Sequence, residues 1–207
     1  VTIALVLMEL GIYRALEEIL GVYAIVALAW VGSLVADLII NKPLGLRPPE
    51  IEFKRAHLYD VNPVGVGSML IASIVGISSH AGVFGETAQA LSSFIALGLT
   101  FVVSPLLCWI TRGRYYIARP QVIFQTDSAA LTCCICEHSF EREDMSFCPA
   151  YAGPICSLCC SLDARCNDVC KTASRFSEQV HTLLGTFLPA PWVQGFNSRV
   201  GNFIGLF

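Results

Sequence analysis

Three long apolar runs constrain this chain more than any other feature. They cover residues 21–40, 61–84 and 88–110. Each reaches the roughly 20 residues that a helix needs to cross the hydrocarbon core of a bilayer. Charged residues make up 14% of the 207-residue chain, against about 25% in soluble domains, so the bilayer is the expected solvent. The net charge of −3 supplies no basic field for nucleic acid, and none is expected as a partner. Residues 1–13, with Glu9, are too short to span alone. They read as the remainder of a helix or as an interfacial segment. Both ends of the chain fall in apolar stretches, with no basic leader and cleavage site, so a fragment, a processed chain or part of something longer is expected.

Lysine and arginine set the expected orientation. The loop after the first run carries Lys42, Arg47, Lys54 and Arg55, the turn near Gly85 carries none, and Arg112, Arg114 and Arg119 follow the third run. That alternation places the long loop and the C-terminal region in the cytoplasm, with Arg14, Glu17 and Glu18 outside. In the second run Ser68, Ala72 and Gly76 recur every four residues. A stripe of small side chains lets helices approach closely; lining of a solute path is the sharper alternative. His80 and Glu86 sit near the outer end as relay candidates or ordinary interfacial groups. Asp37, near the inner end, is expected to meet Lys42 or water.

Nine of the ten cysteines lie from Cys133 to Cys170. Cys133 with Cys136, and Cys156 with Cys159, have C-x-x-C spacing with 19 residues between the pairs, inside the range of zinc sites. Two such knuckles offer a tetrahedral thiolate set at roughly 2.3 Å per Zn–S bond. Cys148, Cys160, Cys166 and Cys170 interleave with the first set and suggest a second ion in a cross-braced arrangement. His138 is a possible substitute ligand, and Cys134 the spare. A module of this size has little core and needs such staples. Structural zinc, an iron–sulfur cluster and disulfides or a thiol switch remain open; a reducing cytosol weighs against disulfides. A closed all-cysteine set does not suit catalytic zinc. Glu141, Glu143 and Asp144 read as a solvated acidic turn, Asp163 and Arg165 as candidates to orient the thiolates, and Cys108 as a small buried residue of the third span.

Residues 174–188 place Phe176, Val180, Leu183, Leu184 and Phe187 on one helical face, ending at Pro189 and Pro191. A further apolar stretch, 192–207, lies in the interface or begins another span. The expected fold is therefore mainly α: polytopic transmembrane helices over 1–117, a small cysteine-rich zinc-type module over 118–172 and an amphipathic helical tail over 173–207.

Certain motifs are familiar. The stretch Trp30-Val-Gly-Ser-Leu-Val-Ala-Asp37, the run Tyr59-Asp-Val-Asn-Pro63 and the Gly-rich span after it resemble the C-terminal part of purine–cytosine permeases, the nucleobase–cation symporter family. Residues 42–120 and the cysteine run from Cys148 to Cys166 resemble a subgroup in which a permease-like region is fused to bacterial hybrid sensor histidine kinases. The resemblance implies a bacterial inner-membrane protein whose partners are the bilayer and the remaining helices of a permease-like fold, or other membrane subunits. It carries no substrate residue onto this chain, because the substrate-binding helices belong to the earlier part of such a fold. Neither a phosphoacceptor helix nor an ATP-binding glycine motif is present. The expected role is a non-catalytic membrane module with a zinc-stabilised connector to a signalling part. The alternatives are a membrane-anchored iron–sulfur electron-transfer subunit and an accessory subunit of a larger complex.

Overall fold

A computed structural model describes residues 11–120, 130–162, 164–166, 168–171 and 173–187. The chain divides into two units, Val1–Pro49 with Asn62–Arg114, and Glu50–Val61 with Tyr115–Phe207. The second unit is discontinuous. The linear division at 117 does not anticipate this, since nothing in a short inter-helix loop announces a partner a hundred residues away. The described tail, through Phe187, also belongs to the second unit rather than standing apart.

The first unit is a bundle of α1 (Ile12–Ala36), α2 (Pro63–His80), the short α3 (Glu86–Ala90) and α4 (Ser92–Thr111). Three helices, Ile12–Asn41, Pro63–His80 and Ser92–Thr111, are long and apolar enough to cross a membrane. Their ends differ from the apolar runs for local reasons. α1 takes in Arg14, Glu17 and Glu18 because these residues accept helical geometry and no proline interrupts them. It continues into a π-helical turn, Asp37–Asn41. α2 starts at Pro63, whose fixed φ suits the first helical position, and Asn62 caps it by accepting from the Val64 N–H at 3.0 Å. The turn after α2 uses Gly82 and Gly85 at positive φ, and a break at Leu91 divides the third run into α3 and α4.

The bundle is small inside and large outside. Its buried residues include Ala29, Gly32, Ser33 and Ala36 of α1, Ser68, Ala72 and Gly76 of α2, and Ala96, Thr100 and Ser104 of α4. Ile19, Leu20, Ile74, Phe94, Val102 and Trp109 are exposed. That inversion of a soluble core is what hydrocarbon solvation favours, because association then depends on close backbone approach. The Ser68–Ala72–Gly76 stripe lies in this seam. A Cβ on Gly76 would stand 2.6 Å from Ile25 Cγ2 and 2.9 Å from Ala96 Cβ. His80 fills the space over Gly21, at 2.8 Å from where a Cβ would be, and Glu86 is exposed.

Asp37 meets Arg47, not Lys42. The Arg47 Nε to Asp37 Oδ2 distance is 3.2 Å, whereas the Lys42 side chain is exposed. Asn41, fully buried, donates from Nδ2 to Asp37 Oδ1 and Ser104 Oγ, both at 3.0 Å. The π turn thus tucks an amide between α1 and α4. Cys108 is buried, its Sγ 3.4 Å from the Leu46 carbonyl.

Gly76→Ala is expected to destabilise the bundle by about 1–3 kcal/mol through overpacking. Gly98→Ala, with open space around it, is expected to be neutral or stabilising by up to ~1 kcal/mol. Thermal unfolding of the two variants in detergent checks the contrast.

Candidate metal centre

Two short hairpins and one helical turn build the centre. Strands β1 (Ala130–Thr132) and β2 (Ser139–Glu141) pair antiparallel, Leu131 opposite Phe140. The residues between them form the first knuckle. Cys133 donates its N–H to the His138 carbonyl at 2.9 Å and accepts from the Glu137 N–H at 3.0 Å. Glu137 closes the turn at φ 60°, a left-handed conformation costing a non-glycine residue roughly 1–2 kcal/mol. Strands β3 (Met145–Cys148) and β4 (Gly153–Cys156) pair antiparallel, Met145 opposite Cys156 and Cys148 opposite Gly153. Cys156 ends β4, and Cys159 falls in the first turn of α5 (Ser157–Leu162). A hydrogen bond from the Cys134 N–H to the Pro154 carbonyl, at 2.9 Å, ties knuckle to hairpin.

The sulfurs of Cys133, Cys136, Cys156 and Cys159 all lie within 4.8 Å of one another. Cys136 and Cys156 are 4.0 Å apart, close to the roughly 3.8 Å edge of a tetrahedron with 2.3 Å metal–sulfur bonds. Cys133 and Cys156 are buried, Cys136 and Cys159 half-buried. Backbone N–H groups point at the sulfurs: Cys156 N–H to Cys133 Sγ and Cys159 N–H to Cys156 Sγ, each at 3.4 Å. Burial raises the Cys133 thiol, but N–H donors from Cys136, Cys156 and Ile135 outweigh it and bring it down to about 6. Burial and then the neighbouring sulfurs push Cys159 up to about 12 and raise Cys156. One sulfur is thus poised as thiolate while two hold protons that a cation would displace. The donor set suits Zn²⁺ or an iron–sulfur centre.

The other predicted ligands behave differently. Cys148 and Cys160 are buried and Cys166 and Cys170 half-buried, but among the described residues no second group meets the mutual 4.8 Å of the first. Burial raises the Cys160 and Cys170 thiols, and charge on their neighbours adds to the effect: Cys170, Cys148 and Cys166 around Cys160, and Asp168, Cys166 and Cys148 around Cys170. His138 stays outside the first set, its Nδ1 2.6 Å from the Cys136 carbonyl oxygen. Cys134 is exposed, and none of the ten cysteines is in a disulfide. Glu141, Glu143 and Asp144 are exposed. Asp163 lies outside the described residues, as do 188–207.

The loop Glu50–Val61 is the part of this unit that sequence reasoning missed. Ala56 is buried in one cluster with Cys133, Met145, Cys148, Ile155, Cys156 and Cys160. His57 is 1% exposed, its Nδ1 2.9 Å from the Arg119 carbonyl oxygen and its Nε2 3.1 Å from Ser146 Oγ. Lys54 donates to the Glu143 carbonyl at 2.8 Å, and Arg55 pairs with Asp168 at 2.7 Å. The signal available was the density of Lys and Arg between two spans, read as an orientation marker only, with His57 beside them.

A scan against protein-family models, a search of curated proteins and a search of solved structures each find no match to this chain. The likeness to the permeases rests on its sequence motifs alone.

Cys133→Ser and Cys156→Ser are each expected to abolish metal retention at this centre, and Cys134→Ser to leave it intact, by elemental analysis of the purified chain. Zinc affinity is expected to rise at least about 100-fold from pH 7 to pH 8, because Cys156 and Cys159 each surrender a proton on binding. Cys133, already thiolate in that range, adds nothing. Competition with a chelator at the two pH values measures the slope.

Proposed function

We propose that this chain is a non-catalytic membrane module of a permease-like sensor or transport protein, in which a zinc-stabilised cytoplasmic connector joins transmembrane helices to a downstream signalling part. The observation that carries the reading is that the Glu50–Val61 loop belongs to the cysteine-rich unit and buries Lys54, Ala56 and His57. This loop is the covalent link between the first two candidate spans. A movement at the start of α2 therefore pulls directly on the module.

The loop also holds the helix that leaves the module, α6 (Phe176–Phe187). Asp60 accepts from Lys171 Nζ at 2.8 Å through one carboxylate oxygen and from the Phe176 N–H at 2.9 Å through the other. Val61 exchanges two hydrogen bonds with the Gln179 side-chain amide, at 3.1 and 2.8 Å. These residues immediately precede Asn62, the cap of α2. Two consecutive residues thus connect a candidate span to the first turns of α6. Burial alone would raise the Asp60 carboxyl, but hydrogen bonds from Lys171 and the Phe176 N–H, with the charges of Lys171 and Arg55, hold it below the ordinary value. Its contribution to stability is complete above about pH 4 and is lost as pH falls through the lowered value.

Zinc is supported over a polynuclear cluster by the mutual closeness of the four sulfurs. One ion draws four thiolates together, whereas a cluster of two or four irons spreads them around its outer corners. A closed tetrathiolate has no open position for substrate, which supports a structural role. The basic loop and basic C-terminal flank support a cytoplasmic module in a bacterial inner membrane. The partners are the bilayer and the other helices of a permease-like assembly, packed against the small-residue seams.

Amide hydrogen exchange on the full chain in detergent tests the connector. Removing the metal is expected to deprotect Glu50–Val61 together with the first turn of α6, and Asp60→Asn to deprotect that turn while metal is retained. The variant leaves the buried Lys171 ammonium poorly paired, which is destabilising. A loop whose protection is indifferent to metal would sink the connector reading. A brown sample containing iron and acid-labile sulfide would move the protein to the electron-transfer class.

A further inference from the structure

We propose that Cys148, Cys160, Cys166 and Cys170 form a second tetrathiolate site that takes Zn²⁺, and that this ion holds the Glu50–Val61 loop in place. The proposal rests on the zinc-stapled reading of the module and adds a distinct site with a distinct task.

Strand geometry separates the two sets. Cys156 pairs with Met145 and Cys148 with Gly153, at opposite ends of the β3–β4 hairpin. Three residues along a strand span about 10 Å, so Cys148 is out of reach of the first centre's ion. Helix geometry does the same on α5. Cys159 and Cys160 are consecutive and point about 100° apart, so one turn can serve two ions, Cys159 facing the first centre and Cys160 the other. Cys148 and Cys160 are 7% and 9% exposed, in one buried cluster with Ala56, and Cys170 packs against it. Cys166 and Cys170 bracket a tight turn, closed by the Val169 N–H donating to the Cys166 carbonyl at 3.1 Å.

The surroundings of this second set suit a charged metal thiolate. Four thiols that bind one Zn²⁺ release four protons and leave a site of charge −2. Compensating donors and cations stabilise such a site. The Ala56 N–H donates to Cys160 sulfur, Arg55 acts on Cys160 through its charge, and Arg119 acts on Cys170. Arg119 is fixed by its own bond from Nη1 to the Phe147 carbonyl at 3.1 Å. Two of these three groups, Ala56 and Arg55, belong to the inserted loop. Among the described residues the four sulfurs are not gathered as closely as those of the first set, so binding one ion requires them to draw together. The Cys166–Cys170 turn carries Asp168, the partner of Arg55, and it precedes Lys171, the partner of Asp60.

Elemental analysis of the full chain purified in detergent, with zinc supplied, is the test. Two zinc ions per chain are expected, falling to one in the Cys160→Ser/Cys170→Ser variant and to one in Cys133→Ser/Cys136→Ser. One zinc in the wild type, unchanged in Cys160→Ser/Cys170→Ser, would overturn the second site and leave the first standing. No zinc at all would overturn the zinc-stapled reading as well. Should the variants not fold, cadmium-113 NMR of the cadmium-loaded wild type decides. Two thiolate-bound resonances support the proposal, and a single resonance refutes it.

Discussion

The second unit depends on sulfur being kept where sulfur repels itself. Its buried core is Ala56, Cys133, Met145, Cys148, Ile155, Cys156 and Cys160, so more than half of it is cysteine. Such a core is too small for apolar burial to outweigh the ordering of the chain. Its sulfurs are too close to ionise together without a cation. Backbone N–H groups aimed at Cys133 prepare one thiolate, while Cys156 and Cys159 hold their protons more tightly than an ordinary thiol. The hairpins, the knuckle and α5 all converge on that arrangement, and the inserted loop adds Ala56 to the same cluster.

The helical unit meets the opposite problem. In a lipid environment large side chains would gain nothing by moving from lipid to protein; here they lie outside, and the contacts are made by glycine, alanine, serine and threonine. At Gly32 and Gly76 even a methyl group would collide with the facing helix. The polar knot of Asp37, Asn41, Arg47 and Ser104 closes one end of α1 where the regular helical repeat widens to a π turn. π turns are uncommon and often mark sites where a side chain must be re-aimed. Here the re-aimed group is the amide of Asn41, directed at α4.

Much of this was legible in the sequence, for identifiable reasons. Apolar length is a one-dimensional property, and the three candidate spans lie where the runs predicted them. The C-x-x-C pairs were legible because knuckle geometry is local, and pairing the two knuckles needed only their separation. The helix ends were less legible. Pro63, Gly82 and the break at Leu91 act through backbone geometry that hydropathy does not register. The partner of Asp37 was missed because a π turn shifts the register by one residue, leaving Lys42 exposed and Arg47 buried. The largest omission was the inserted loop. Lys54 and Arg55 entered the sequence reading only as charges that set orientation, and His57 did not enter it, yet each makes a specific hydrogen bond to residues 62 to 113 positions away. Long-range pairing of polar side chains leaves no periodic trace.

A discontinuous unit also imposes an order on synthesis. The loop bearing Ala56 and His57 leaves the ribosome before α2 and α4, and its partners in 115–187 follow only after both helices have been made. The loop must therefore wait, its basic and imidazole groups solvated, while two candidate spans are produced. The cysteine-rich unit can close only once they are complete. A peptide beginning at Tyr115 lacks the segment that fills the space around Ser146 and Cys160. Closure of the cysteine-rich unit and completion of the helical bundle are for this reason parts of one assembly sequence rather than independent events.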